Sequence, residues 1–242
     1  MIHDYFNKIE GLLETVENEE TDTMKKVAKK VSSAIQHDGI IHLFGCGHSH
    51  VLTEEVYYRA GGLVPINPIL HEPLMLHEGA TRSSSLERKN DYAKEFMGDQ
   101  DIRENDIMFV ISTSGRNPVP VDVSKIAKDK GAYIVAITSI QYSNSQPSRH
   151  TSGEHLFDAA DVVIDNHAPA GDALLSHPKV DVNFAPSSTV IGATILNAIL
   201  AEAIQDMADA GFEPPVLLSG NLEGADDRNN KLIEKYKDRV VL

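Results

Sequence analysis

The chain has 242 residues, 41% of them hydrophobic and 24% charged, enough to bury a full core as an ordinary globular protein. Its formal net charge of −14 argues against nucleic acid and anionic membrane surfaces, since neutralising phosphates takes a surplus of Lys and Arg. A single cysteine, Cys46, excludes an intramolecular disulfide framework and fits a reducing, cytoplasmic setting.

The first 37 residues read as helical. Ile9, Leu12, Leu13 and Val16 recur at helical spacing, and Met24, Val27, Val31 and Ile35 do so again after an acidic break at 17–22. The opening stretch has no basic region followed by an apolar core, so no signal peptide is read. No uncharged apolar run reaches the ~18 residues of a membrane span. Short apolar runs then follow at 40–45, 63–68, 107–112, 133–138 and 161–165, of the kind found in strands covered on both faces. Helices are expected between them at about 50–60, 86–96 and 118–130. This alternation predicts βαβ units with helices on both faces of one sheet. The irregular stretches 68–85 and 139–153 are expected to be functional loops, and no internal repeat or linker is seen. The segment "APSSTVIGATILNAILAEAIQDMADAG" predicts a long helix ending near Gly211, apolar almost all round from Val190 to Ala201. Such a helix is buried in a core or lies at a subunit interface. A last amphipathic helix follows.

Three junctions share one chemistry. The first is Gly45-x-Gly47-His48-Ser49 after the first strand. The second is Ser112-Thr113-Ser114-Gly115-x-Asn117 after the third, with Asn117 placed to cap a helix that starts at Pro118. The third is Ser187-Ser188-Thr189, with Ser187 placed to cap the long helix. Each sets free N–H groups and a positive dipole end beside short hydroxyls, which is how an anion such as phosphate is held without net positive charge. Any one of them could equally be an ordinary cap. The glycine loop lacks the third glycine and the acidic residue of a dinucleotide site, and there is no G-K-[ST] of a nucleotide P-loop.

On these motifs the chain resembles the SIS (sugar isomerase) domain family over residues 30–210, and is similar to single-domain phosphoheptose isomerases and their uncharacterised relatives. The resemblance implies an α/β, three-layer αβα fold: a doubly wound, five-stranded parallel sheet of flavodoxin-like type with extra N-terminal helices. One SIS domain would span 1–242, with N-terminal helices at 1–37, an α/β core at 38–211 and a C-terminal helical extension at 212–242. It also implies that Ser112, Thr113, Ser114 and Asn117 grip a phosphate. Gly45, Gly47, His48, Ser49, Ser187, Ser188 and Thr189 would contribute from nearby, at a site formed between the subunits of a homodimer or homotetramer.

Phosphoheptose isomerases carry a glutamate base on the helix after the first loop. An ungapped alignment on Ser49 places Arg59 there, with Glu54 and Glu55 a turn earlier. Other family members supply a glutamate from the loop after the second strand, which here offers His71, Glu72, His77 and Glu78. Aldose–ketose isomerisation needs a carboxylate to move a proton between adjacent carbons, and often a histidine to open the ring. Glu72 and Glu55 are the base candidates and His177 the ring-opening candidate. His50 and Glu54 share a helix face, but no tight ligand signature appears, so neither metal nor cofactor is expected. Cys46 reads as a nucleophile or as loop packing. The functional expectation is a cytoplasmic sugar-phosphate isomerase working through an enediol. The alternatives are a phosphosugar lyase or etherase, and a non-catalytic phosphosugar sensor.

Overall fold

The computed structural model describes residues 1–242. In chain order its elements are α1 (Ile2–Gln36), β1 (Ile41–Gly45), α2 (Val51–Glu55), β2 (Ile66–Pro68), α3 (Ala80–Leu86), α4 (Lys94–Met97), β3 (Ile107–Ile111) and α5 (Pro118–Asp129). Then come β4 (Tyr133–Thr138), α6 (Ile140–Asn144), α7 (Leu156–Ala159), β5 (Val162–Asp165), β6 (Leu175–His177), β7 (Val180–Phe184), α8 (Ser188–Asp209) and α9 (Ala225–Tyr236).

Five strands form one parallel sheet in the order β2-β1-β3-β4-β5. Strand residues alternate between the two faces, and so do their partners. Leu43, Phe109 and Val135 pack with Val27 and Val31 of α1 and with Ile195 and Ile199 of α8. Phe44, Met108, Val110 and Ile134 pack on the other side with Phe96 and Met97 of α4, Val119 and Val123 of α5 and Leu156 of α7. The result is the doubly wound, three-layer α/β architecture. Because the chain winds outward in both directions from β1 and β3, the crevice between their carboxyl ends is the topological switch point, where open α/β sheets hold ligands.

Three departures from the sequence reading have local causes. The acidic stretch 17–22 does not break α1: buried residues on either side, Ile9 and Val16 before it and Val27, Val31 and Ile35 after it, hold one continuous helix, and Glu20 is half-buried against His167 while Glu17, Glu19 and Asp22 face solvent. Helix α2 stops at Glu55 and not near 60. There Tyr58 and Gly61 take positive φ, and backbone bonds tie Gly61 and Gly62 to Leu217. In place of a helix over 86–96 there are the two short helices α3 and α4. Asp91, at φ 64°, turns the chain between them and donates its N–H to the Asp122 carboxylate at 2.8 Å.

An antiparallel hairpin, β6–β7, was not foreseen and leads into α8. Helix α8 is long and apolar enough by composition to cross a membrane, yet Ile191, Ile195, Leu196, Ile199, Leu200 and Met207 are buried in the core.

At the amino end of the sheet, Asp106 is fully buried and saturated with donors. His42 Nε2, Arg239 Nη2 and the Ile40 and Arg103 amides reach it at 3.1, 2.7, 2.8 and 2.8 Å. Burial alone would raise its pKa, but these hydrogen bonds outweigh burial and hold it at about 2.

Candidate functional site

The paired ends of β1 and β3, where Gly45 sits opposite Ile111, bring the first two loops side by side. Gly45 is required there because a Cβ would lie 2.6 Å from the Ser49 carbonyl. After β3, the Ser112 amide still bonds to Ile137 O and the chain turns tightly, with Gly115 N–H donating to Ser112 O. Gly115 takes φ 58°, and a Cβ would meet the hydroxyls of Ser143 and Thr138 at 2.6 and 2.8 Å. The amides of Thr113 and Ser114 have no acceptor in the chain. The hydroxyls of Ser49, Ser112, Thr113 and Ser114 make no hydrogen bond within the protein, and all four residues are half-buried. This is a cradle of unused donors at the switch point.

Asn117 stands at the start of α5, as expected, but its side chain does not cap the helix. Its Nδ2 donates to Glu87 Oε1 at 2.8 Å, and its Oδ1 accepts from Arg149 Nη1 at 2.9 Å. Burial raises the Glu87 carboxyl above its ordinary value, against the opposing pull of Arg88 and Arg149. The sequence reading missed Glu87, Arg88, Arg116 and Arg149. In the sequence Glu87-Arg88 looks like a helix-surface pair, and Arg149 sits in a polar loop. The pointers were that Arg116 is the unassigned position of the Ser112–Asn117 motif, that Arg149 lies in the irregular stretch 139–153, and that Glu87 and Arg88 follow closely on the stretch 68–85.

The third motif is differently arranged. Ser187 stands at the start of α8 without a side-chain cap, and its donors go to Asp172. Asp172 Oδ1 accepts from Ser187 N, Ser187 Oγ and Ser188 N at 2.9, 2.9 and 3.0 Å, and Oδ2 accepts from Ser188 Oγ at 2.6 Å. A carboxylate of the protein itself thus holds the place in which the sequence suggested a bound anion. Thr189 Oγ1 has no partner.

The proton-transfer candidates named from sequence are scattered. Glu55, half-exposed, pairs with Arg59 and accepts from Asn197 Nδ2 at 3.3 Å. Glu72 is exposed in a 3₁₀ turn after β2. His177 is exposed in the β6–β7 hairpin, outside the main sheet, and its Nδ1 accepts from the Lys179 amide at 3.2 Å. His71 stacks on Phe96 with ring centroids 4.4 Å apart, its Nε2 2.9 Å from the Tyr92 hydroxyl, and burial lowers its pKa. His77 and Glu78 are exposed, and so is His48. His50 Nε2 lies 4.0 Å from Glu54 Oε1 while its Nδ1 is engaged by Gly47 O. Cys46 is buried, and burial followed by the nearby Glu87 charge pushes its thiol well up, so it packs the loop as a protonated thiol.

Comparison with known proteins agrees with this geometry. Residues 4–139 match the SIS domain family. A UPF0309 protein of Halalkalibacterium halodurans is 63% identical over 242 residues, covering 100% of this chain and 97% of that protein. A UPF0309 protein of Geobacillus sp. is 66% identical over 242 residues, covering 100% and 98%. Among solved structures, a phosphoheptose isomerase from Francisella tularensis superposes with a TM-score of 0.55 at 15% identity, over 84% of this chain and 96% of that one. The Vibrio vulnificus NanR protein complexed with ManNAc-6P superposes with a TM-score of 0.51 at 13% identity, over 100% of this chain and 71% of that one. At such identities these two show a shared fold. From the family match and its full-length relatives, the chain belongs to the SIS domain family.

Proposed function

We propose that the protein binds a sugar phosphate at the β1/β3 switch point and isomerises it between aldose and ketose through an enediol. The observation that carries this is the juxtaposition of the unused donors of Ser112, Thr113 and Ser114 with Glu87, a half-buried carboxylate bonded to Asn117 three residues beyond them. Backbone N–H groups and hydroxyls take the phosphate oxygens, with Ser49 of the neighbouring loop. A raised pKa brings a carboxylate toward the operating pH, where it is both ionised often enough to act and basic enough to accept a proton. Glu87 takes the proton from the carbon next to the carbonyl. The carbonyl oxygen takes a proton from solvent as the enediol forms. The Glu87 carboxyl exchanges in part with solvent and delivers a proton to the former carbonyl carbon, and the other enediol hydroxyl gives up its proton as the new carbonyl forms. Glu87 fills the role that Glu72 and Glu55 were expected to fill, because it combines burial with a position beside the cradle.

The test is deuterium incorporation from D₂O into sugar phosphates of five to seven carbons, followed by NMR for wild type and Glu87→Gln. Exchange in wild type, lost in Glu87→Gln with binding retained, is the expected result. Binding without exchange for every ligand would make the protein a phosphosugar sensor, a role compatible with the fold it shares with NanR.

The reading extends to a cytoplasmic protein that works as a homo-oligomer. Ile2, Phe6, Val182 and Val190 are exposed on the starts of α1 and α8 and on the hairpin that leads into α8. Sedimentation is expected to give at least a dimer, and a stable 26.5 kDa monomer at micromolar concentration would refute it.

A further inference from the structure

The charge pattern around Asn117 is not what a simple phosphate grip requires. Arg59, Arg103, Arg228 and Arg239 each form an ion pair with a carboxylate. Arg82, Arg88, Arg116 and Arg149 do not, in a chain with 36 acidic and 22 basic residues. Arg82 lies apart, near His71 and Tyr92, and the other three converge on one place. Arg116 lies in the Ser-Thr-Ser-Gly loop itself and donates only from Nε, to Pro147 O at 3.1 Å. Arg149 is tied to that loop by its amide, which donates to Arg116 O at 2.9 Å, and by Nη1 on Asn117. Arg88 follows Glu87 and lines an open pocket of about 530 Å³ with Thr81, Ser84 and Ser85. Like charges held together raise the free energy unless something neutralises them. The one carboxylate nearby, Glu87, is bonded to Asn117 and lies beyond 4 Å from any of the three guanidiniums.

We infer that the substrate carries a second anionic group, a carboxylate or a second phosphate, which seats on Arg88, Arg116 and Arg149 while the first phosphate occupies the Ser112–Ser114 loop. This rests on the proposed phosphosugar reading and narrows its substrate class to doubly anionic sugar phosphates. Guanidinium groups suit the task because their planar donors engage carboxylate or phosphate oxygens in pairs. Concentrating the cations at one rim also offsets the long-range repulsion that a −14 protein exerts on a ligand with two anionic groups. The division of labour is physical: neutral donors orient the phosphate, and the arginines select for the second charge.

The experiment uses matched ligand pairs with the intact chain and calorimetry. One pair is glucitol 6-phosphate and 6-phosphogluconate, which differ by a carboxylate; the other is glucose 6-phosphate and glucose 1,6-bisphosphate, which differ by a phosphate. Wild type is expected to favour the doubly anionic member of at least one pair by about 10-fold or more, the usual size of hydrogen bonding to a charged group. The pair that shows the preference identifies the second anion as carboxylate or phosphate. In Arg88→Gln and in Arg116→Gln that preference is expected to collapse toward unity. Binding of both members with no preference in wild type overturns this inference and leaves the phosphosugar reading standing. Equal loss of both members in the arginine variants also overturns it, since the arginines would then be holding the first phosphate. Failure of all four ligands to bind, with the fold intact by circular dichroism, overturns both readings.

Discussion

The two ends of the parallel sheet are both polar, and they are polar in opposite ways. At the amino end Asp106, His42, Asn67 and Arg239 form a closed set. His42 bonds to Asp106 through Nε2 and accepts from Asn67 through Nδ1, and Arg239 seals the carboxylate. Nothing there is left for a ligand, so the network is structural. At the carboxyl end the hydroxyls of Ser112, Thr113 and Ser114 are unused, Glu87 is half-buried with one side-chain hydrogen bond, and three arginines lack carboxylate partners. A folded chain leaves buried or half-buried donors unspent only where something outside the chain completes them. The comparison teaches that chemistry is found where satisfaction is incomplete, even though the histidine–aspartate pair at the other end looks more like an active site.

The largest expected effect is that of Glu87→Gln. Loss of a positioned base lowers turnover about 10²–10⁴-fold, measurable as isomerisation rate or solvent deuterium exchange. Stability should move the other way. A carboxyl whose folded pKa is raised contributes stability below its ordinary value near 4.5 and loses that contribution as pH rises through its folded value. At neutral pH the Gln variant is therefore expected to be at least as stable as wild type in urea unfolding. A clear drop in stability would turn Glu87 into a structural residue like Asp106.

Asp106→Asn tests the opposite end. Its depressed pKa, from 3.8 to about 2, corresponds to about 2 kcal/mol of stability. That stability is present above about pH 4 and lost as pH falls through about 2. Removing the charge also takes one of Arg239's two carboxylate partners, leaving Asp101, so the variant is expected to lose about 2–3 kcal/mol at neutral pH, with a flatter acid limb. Ligand affinity should be unchanged in the folded fraction. Altered affinity would erase the distinction between the two ends.

Ser114→Ala is expected to weaken any sugar phosphate by about 1.5–3 kcal/mol with little change in unfolding midpoint, as would Ser112→Ala. Unchanged calorimetric affinity in both would remove the cradle from the site. The smallest effect concerns the α8 start, which is closed like the amino end although it lies among the loops. Asp172→Ala strips the donors of Ser187 and Ser188 of their acceptor and is expected to cost about 1 kcal/mol, seen as a lower melting temperature. Phosphate in the buffer should restore part of the loss by occupying the freed donors; no rescue would show that this helix start does not take an anion.

The fold was largely legible because its signals are local. Five runs such as 107–112 and 133–138 are too apolar to lie anywhere except inside a covered sheet, and Gly211 and Ser187 mark the ends of α8 through backbone preferences of single residues. The hydroxyl-rich loop after β3 was legible for the same reason: three hydroxyls and a glycine between a buried strand and an Asn-Pro helix start are contiguous. Elements whose ends depend on distant partners were not. The stop of α2 is set by Leu217, and the turn between α3 and α4 by Asp122.

The chemistry divides along the same line. Sequence by itself determined the parallel α/β layers, the switch-point loops and the hydroxyl donors, since each follows from side-chain periodicity or from residues adjacent along the chain. Tertiary structure alone decided the surroundings of each carboxylate. Glu87, Glu55, Glu72 and Asp172 are the same functional group, and a sequence ranks them only by proximity to motifs. Folding half-buried Glu87 against Asn117, paired Glu55 with Arg59, left Glu72 in solvent and lodged Asp172 in the α8 start. A carboxylate's basicity is set by its desolvation and by the charges and donors within a few ångströms, and for Glu87 the decisive donor, Asn117, and the Arg149 charge come from segments 30 or more residues away.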